Sequence, residues 1–203
     1  MIIKTFLFDL DDTIVDTKIY DQLYEPVLSL VKNKFGLSDE ALDQKVASLG
    51  LIKNKFGRWD TGDLCCELGL LDEYYRILEK NIEVVPVLKK DVLYFFKKAR
   101  KKNKRIGIVS NSMRRTIEAF LNKYKLNEYI DFVYSFDDAK CKKSDLNYWK
   151  KLVKKHNLSP EDCVIIGDNV QQDSVIPFKV GLKAIILDDS TNLRDVSKRF
   201  SYE

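Results

Sequence analysis

The apolar run Phe6-Leu7-Phe8 suits a fully buried β-strand, and it runs straight into three carboxylates within four positions, Asp9, Asp11 and Asp12. A chain that leaves a sheet at this point carries charge that packing does not call for. Carboxylates this crowded repel one another and raise each other's pKa unless a cation or a nearby lysine compensates. A bound divalent ion is the simplest compensation. The local alternative is that Asp11, Asp12 and Thr13 cap the next helix, since Asp and Thr are favoured N-caps.

From about Asp16 to Glu83 the pattern is helical throughout. Ile19, Leu23, Val27, Leu30 and Val31 share one helical face, Phe35-Gly36-Leu37 ends that helix, and Ser38 followed by Asp39 and Glu40 starts another. Further helices are expected around 63–68 and 72–82, with Gly50, Gly57, Gly62 and Gly69 as punctuation. After Val84-Val85-Pro86 the alternation typical of parallel α/β folds begins. The spacing predicts a helix over 91–102 with Val92, Phe95, Phe96 and Ala99 inward, and helices over 114–125 and 146–156. Strands are predicted over 2–8, 105–109, 132–134, 163–166 and 183–187. Residues 172–180 read as helical with a bend or break at Pro177, and 192–203 as a final helix or a frayed tail.

Composition narrows the function. A chain of 203 residues, 45% hydrophobic and 33% charged, is long enough to bury a real core. Its N-terminal apolar stretch is broken by Lys4 and stopped at Asp9, which argues against a secretory signal or membrane span and places the chain in the cytoplasm. Cys65, Cys66, Cys141 and Cys163 make no C-x-x-C pair and His156 is the only histidine, so a zinc site is not expected and the thiols read as reduced. The basic run from Lys97 to Arg105 lacks the aromatic interleaving of a nucleic-acid patch and reads as a cationic helix C-terminus. Residues 15–84 hold nine Lys/Arg against thirteen Asp/Glu, a net −4, which leaves +8 for the rest of a chain whose total is +4. That split suits a core that binds an anion.

In open α/β sheets ligands sit beyond the carboxyl ends of the strands, and four such ends here carry polar residues. The spacing Asp9-x-Asp11-x-Thr13 behind an apolar strand resembles the first motif of the haloacid dehalogenase-like (HAD) hydrolase superfamily. Ser110-Asn111-Ser112 after Ile106-Gly107-Ile108-Val109 resembles its second motif, though such a turn also caps a following helix. Lys143-Ser144-Asp145-Leu146-Asn147-Tyr148-Trp149 keeps the register of the family's Lys-Pro-Asp-Pro-x-x-Phe without its prolines, so Lys143 is favoured as the motif lysine with Lys142 and Lys140 left open. Gly167-Asp168 with Asp173 five positions on, behind Val164-Ile165-Ile166, is similar to the family's Gly-Asp-x-x-x-x-Asp. The resemblance covers nearly the whole chain. It implies a Rossmann-like α/β core with a parallel sheet and helices on both faces, formed by 1–15 and 84–203, plus a small all-helical cap domain, 16–83.

What the resemblance implies for chemistry is a Mg²⁺-dependent phosphomonoester hydrolase acting on a small phosphorylated metabolite. A dianionic phosphomonoester repels carboxylates, so an Asp nucleophile needs a metal to bring the two together. By that resemblance Asp9 is nucleophile and ligand, Asp168 is a ligand, and Asp11 supplies a main-chain ligand and the acid/base carboxylate. Lys143 neutralises Asp9 and a phosphoryl oxygen, Ser110 and Asn111 bind the phosphoryl group, and Asp173 orients Lys143 or joins the metal shell. The family's dehalogenases lack an acid/base Asp two positions after the nucleophile, so Asp11 argues against that branch. A sugar phosphomutase on the same core, or a catalytically idle binding protein on this fold, are the alternatives. Lys53, Lys55, Arg58 and Trp59, in a glycine-bounded loop, are candidate specificity residues, or else ordinary solvated charge around a packed Trp59. A monomer or dimer without nucleic-acid or membrane partners is expected.

Overall fold

The computed structural model describes residues 3–53, 57–188 and 190–200. They divide into two compact units, Thr17–Pro86 and the remainder, Met1–Asp16 with Val87–Glu203. Among the described residues no helix is long and apolar enough to cross a membrane.

The larger unit is built on one parallel five-stranded sheet in the order β3-β2-β1-β4-β5. Its strands are β1 (Thr5–Phe8), β2 (Arg105–Val109), β3 (Phe132–Tyr134), β4 (Cys163–Gly167) and β5 (Lys183–Ile186). The β1 strand is shorter than the run predicted from 2–8; Ile2 lies outside the described residues. Because β1 is central, paired to β2 on one side and β4 on the other, both its faces must be apolar, and all four residues are buried. Phe6 and Phe8 point to one face and meet Phe95 edge-on at 5.0 and 5.1 Å. Leu7 points to the other, into a cluster with Val109, Trp149, Leu152 and Ile165. The chain goes from β1 outward to β3, then returns to the far side of β1 for β4. That reversal beside β1 is the switch point at which open α/β sheets bind ligands.

Helices flank the sheet on both faces. In the smaller unit lie α1 (Lys18–Phe35), α2 (Asp39–Ser48), α3 (Thr61–Glu67) and α4 (Leu71–Val84); in the larger, α5 (Val92–Lys101), α6 (Arg114–Lys123), α7 (Phe136–Ala139), α8 (Leu146–Lys155), α9 (Ile176–Phe178) and α10 (Leu193–Arg199). The inward set of α5 is the expected Val92, Phe95, Phe96 and Ala99. The stretch expected to bend at Pro177 instead starts as a π-helical turn, Val170–Val175, and Pro177 falls in the first turn of α9, where its missing N–H is not needed.

The helical unit has its own logic. Along α1 the residues Ile19, Leu23, Val27 and Val31 are buried while Leu30 is only half-buried, so the stripe is narrower than its five apolar positions. Gly36 in the left-handed region ends α1, and the Ser38 hydroxyl accepts the Ala41 N–H to start α2. Asp60 caps α3 by accepting the N–H groups of Gly62 and Asp63, which puts Gly62 inside the first turn and not between helices. Trp59 is buried, with the Lys53 ammonium 4.3 Å from its ring centroid. Arg58 pairs with Asp21 and lies 5.1 Å from the Tyr24 ring. Lys55 lies outside the described residues.

Candidate active site

The site is assembled at the carboxyl ends of β1, β2 and β4. The Asp9 N–H donates to the Ile166 carbonyl at 2.9 Å, which carries the β1–β4 pairing one residue past the strand and fixes where Asp9 leaves the sheet. The next residues form a tight turn: the N–H groups of Ile14 and Val15 both reach the Leu10 carbonyl, at 2.8 and 3.0 Å, and Asp12 takes a left-handed φ of 55°. Helix α1 begins only at Lys18, after Thr17. Asp11, Asp12 and Thr13 therefore do not cap it, and the capping reading is set aside.

Asp9, Lys143 and Asp173 form a buried triad of charge. The Lys143 ammonium donates to Asp9 Oδ1 and, at 2.6 Å, to Asp173 Oδ1. Their relative exposures are 5% for Asp9, 3% for Lys143 and 0% for Asp173. Lys140 and Lys142 are exposed, whereas Lys143 is buried with its ammonium on Asp9 and Asp173. Two bonds hold its backbone: the Lys143 N–H donates to Asn111 Oδ1 at 2.7 Å, and the Trp149 indole N–H donates to the Lys143 carbonyl at 2.9 Å. The second oxygen of Asp173 accepts the Asn169 N–H at 3.1 Å. Asp173, expected among the metal ligands or as the orienter of Lys143, has both its oxygens engaged by protein donors.

The turn after β2 uses all three of its polar side chains. Ser110 is buried, and its Oγ accepts the Ser112 N–H at 3.0 Å. Asn111 has both ends of its amide engaged: Oδ1 by Lys143 and Nδ2 by Gln172 Oε1 at 2.7 Å. Expected to bind substrate, it serves here as a strut between the β2 turn, the Lys143 loop and the π-helical turn. Ser112 Oγ donates to Asp11 Oδ2 at 3.0 Å. From the sequence the Ser110-Asn111-Ser112 turn reads as the second motif or as a helix cap, and Ser112 is given no role of its own. The N-cap of α6 is Met113, which makes no side-chain cap, and the Arg114 N–H goes to Asp137.

Burial pushes the Asp9 carboxyl well above the ordinary carboxylate range; Lys143 opposes this, while Asp173 and Asp11 reinforce it. Burial alone would lower Lys143, but Asp9 and Asp173 outweigh it and hold the ammonium protonated, above its ordinary value. At the open rim, partial desolvation and then Asp173 raise Asp168. Asp9, Asp168 and Asp173 each place a carboxylate oxygen within 4.8 Å of the others. One ammonium does not neutralise three carboxylates, and the donors are all oxygen, a set that fits a hard divalent ion such as Mg²⁺. Arg58 belongs to the helical unit, where it is paired as described.

A parallel sheet with this order, carrying a buried Asp-Lys-Asp cluster at its switch point, defines a Rossmann-like α/β protein with a charged site at its carboxyl edge. The family model for haloacid dehalogenase-like hydrolases matches residues 3–174, and the chain belongs to that family. Pyrophosphatase PpaX of Bacillus mycoides (strain KBAB4) is 24% identical over 190 residues, covering 91% of this chain and 83% of the relative. Among solved structures, a HAD phosphatase from Thermococcus onnurineus shares the fold with a TM-score of 0.77 at 22% identity, covering 99% of both chains. The HAD-hydrolase YfnB from Bacillus subtilis, solved bound to magnesium, has a TM-score of 0.65 at 18% identity and covers 99% of this chain and 100% of its own.

Proposed function

We propose that the protein is a Mg²⁺-dependent phosphoric ester hydrolase that acts on a small phosphorylated metabolite through an aspartyl-phosphate on Asp9. The observation that carries this reading is the Lys143 ammonium held between Asp9 and Asp173, with Asp168 alongside and Asp11 two residues after Asp9. Asp9 and Asp168, with the main-chain carbonyl of Asp11, would hold the ion. When bound it offsets the charge of the phosphoryl oxygens and lets an anionic substrate approach a carboxylate.

The chain's own residues account for the rest. An oxygen of Asp9 attacks phosphorus and the bond to the leaving oxygen breaks, while Asp11 donates a proton to that oxygen. Asp11, now a carboxylate, takes a proton from water, whose oxygen attacks phosphorus and breaks the bond to Asp9. Asp173 holds Lys143 against Asp9, and the Ser110 hydroxyl proton is directed to a phosphoryl oxygen. The helical unit, Thr17–Pro86, is the candidate cap, and substrate selection is assigned to it.

Hydrolysis of p-nitrophenyl phosphate by the purified protein with Mg²⁺, with EDTA, and for Asp9→Asn tests the reading. Turnover that needs both the metal and Asp9 is expected. Turnover that survives Asp9→Asn would sink the nucleophile assignment, and none under any condition would favour a phosphomutase or a binding protein. A relative named as a pyrophosphatase adds pyrophosphate, a phosphoric anhydride, to the substrate panel that follows, where faster turnover of it than of any phosphate ester would overturn the ester assignment.

A further inference from the structure

The Ser112 hydroxyl donates to Asp11 Oδ2 at 3.0 Å across 101 positions of sequence, from the turn after β2 to the turn after β1. We propose that Ser112 is a positioning residue that holds the acid/base carboxylate of Asp11 in its working rotamer. The inference rests on the hydrolase reading and deepens it. A carboxylate on a tight turn has several open rotamers, and proton transfer to a leaving oxygen demands hydrogen-bond reach in one of them. Ser112 is a good anchor because its own backbone is fixed twice. Its N–H donates to Ser110 Oγ at 3.0 Å, and its carbonyl accepts the Phe136 N–H at 3.2 Å.

The hydroxyl is not needed for the bland role a serine would have here. It does not cap α6, whose Arg114 N–H is bound by Asp137 Oδ2 at 2.6 Å. The same turn therefore presents three adjacent side chains to three different tasks: Ser110 to the reaction centre, Asn111 to the Lys143 backbone, and Ser112 to Asp11. Alanine at 112 keeps both backbone bonds and removes only the bond to Asp11.

The test compares leaving groups. Protonation by Asp11 matters for phenyl phosphate, whose phenolate is a poor leaving group, and little for p-nitrophenyl phosphate, whose anion leaves unaided. Because kcat/KM reports only the steps up to phosphorylation of Asp9, later hydrolysis does not mask the difference. Ser112→Ala is expected to lose about tenfold or more in kcat/KM on phenyl phosphate, part of the ~10²–10⁴ a placed general acid contributes. The loss on p-nitrophenyl phosphate should be much smaller, and Ser112→Thr should restore kcat/KM on phenyl phosphate. Equal losses on both substrates, no loss on either, or no rescue by threonine overturn the proposal. Wild-type turnover unaffected by Asp9→Asn is a separate result, which overturns the hydrolase reading and the proposal with it.

Discussion

A methyl group placed on Gly167 would lie 2.3 Å from Oδ2 of Asp173. The glycine at the end of β4 is thus required by space, because the carboxylate that holds Lys143 occupies the volume a Cβ would fill. Gly167→Ala must displace Asp173, and through it the Lys143 ammonium 2.6 Å away. A displacement of about 1 Å at a reacting centre costs ~10²-fold, so kcat/KM should fall by that order while overpacking costs about 1–3 kcal/mol. Steady-state kinetics with a thermal melt separate the two effects, and an alanine variant of unchanged activity would remove Asp173 from the positioning of Lys143.

Lys143 is singled out from its neighbours by burial. Replacing it with methionine leaves Asp9 and Asp173 without the ammonium that opposes their repulsion. Lys143→Met should lower kcat by on the order of 10²–10³, the usual cost of removing one aimed electrostatic donor. Lys140→Ala and Lys142→Ala, at exposed positions, should change it little. The three variants measured side by side decide among the lysines the motif left open, and a larger loss at 140 or 142 would reverse the assignment.

Trp149 lies in the core cluster and its indole N–H is spent on the Lys143 carbonyl at 2.9 Å. Trp149→Phe keeps an aromatic ring but orphans that carbonyl, at a cost of about 1–3 kcal/mol. Because the carbonyl belongs to the residue that faces Asp9, kcat should fall along with the melting temperature. A variant that loses stability but keeps kcat would show that the Asn111 bond alone sets the loop.

The elements were legible where local chemistry determines them. Strand β2 and the inward face of α5 follow from apolar periodicity within a few residues, and Ser38 announces α2 by its own hydroxyl. The motif carboxylates and Lys143 were legible as residues, and the resemblance already paired Lys143 with Asp9 and Asp173, but the side chains that brace them were not. The Asn111 amide meets Lys143 at a separation of 32 positions and Gln172 at 61, and nothing near Asn111 encodes either. Ser112 had no role in the sequence reading for the same reason: a Ser-Asn-Ser turn fits a motif or a helix cap alike, and the sheet order brings Asp11 within reach. Gly167 reads as a turn signal, whereas the space it leaves is filled by a side chain six residues on.

His156, the only histidine, stacks on Phe132 with ring centroids 3.9 Å apart and meets Tyr134 edge-on at 5.8 Å. Burial lowers its pKa; Lys155, Arg105 and Arg114 lower it further, and Asp138 opposes them. A base whose pKa is lowered in the folded state is neutral in both states at high pH, so nothing is lost there. As pH falls below the ordinary histidine value of about 6.5, the unfolded chain takes up a proton that the folded chain resists, and stability declines. His156→Gln removes that proton-linked loss. The stability advantage of wild type over the variant, from urea midpoints, should therefore shrink as pH falls from about 8 to about 5.5. An advantage that stays constant or grows would mean that the imidazole is as easily protonated in the stack as in water.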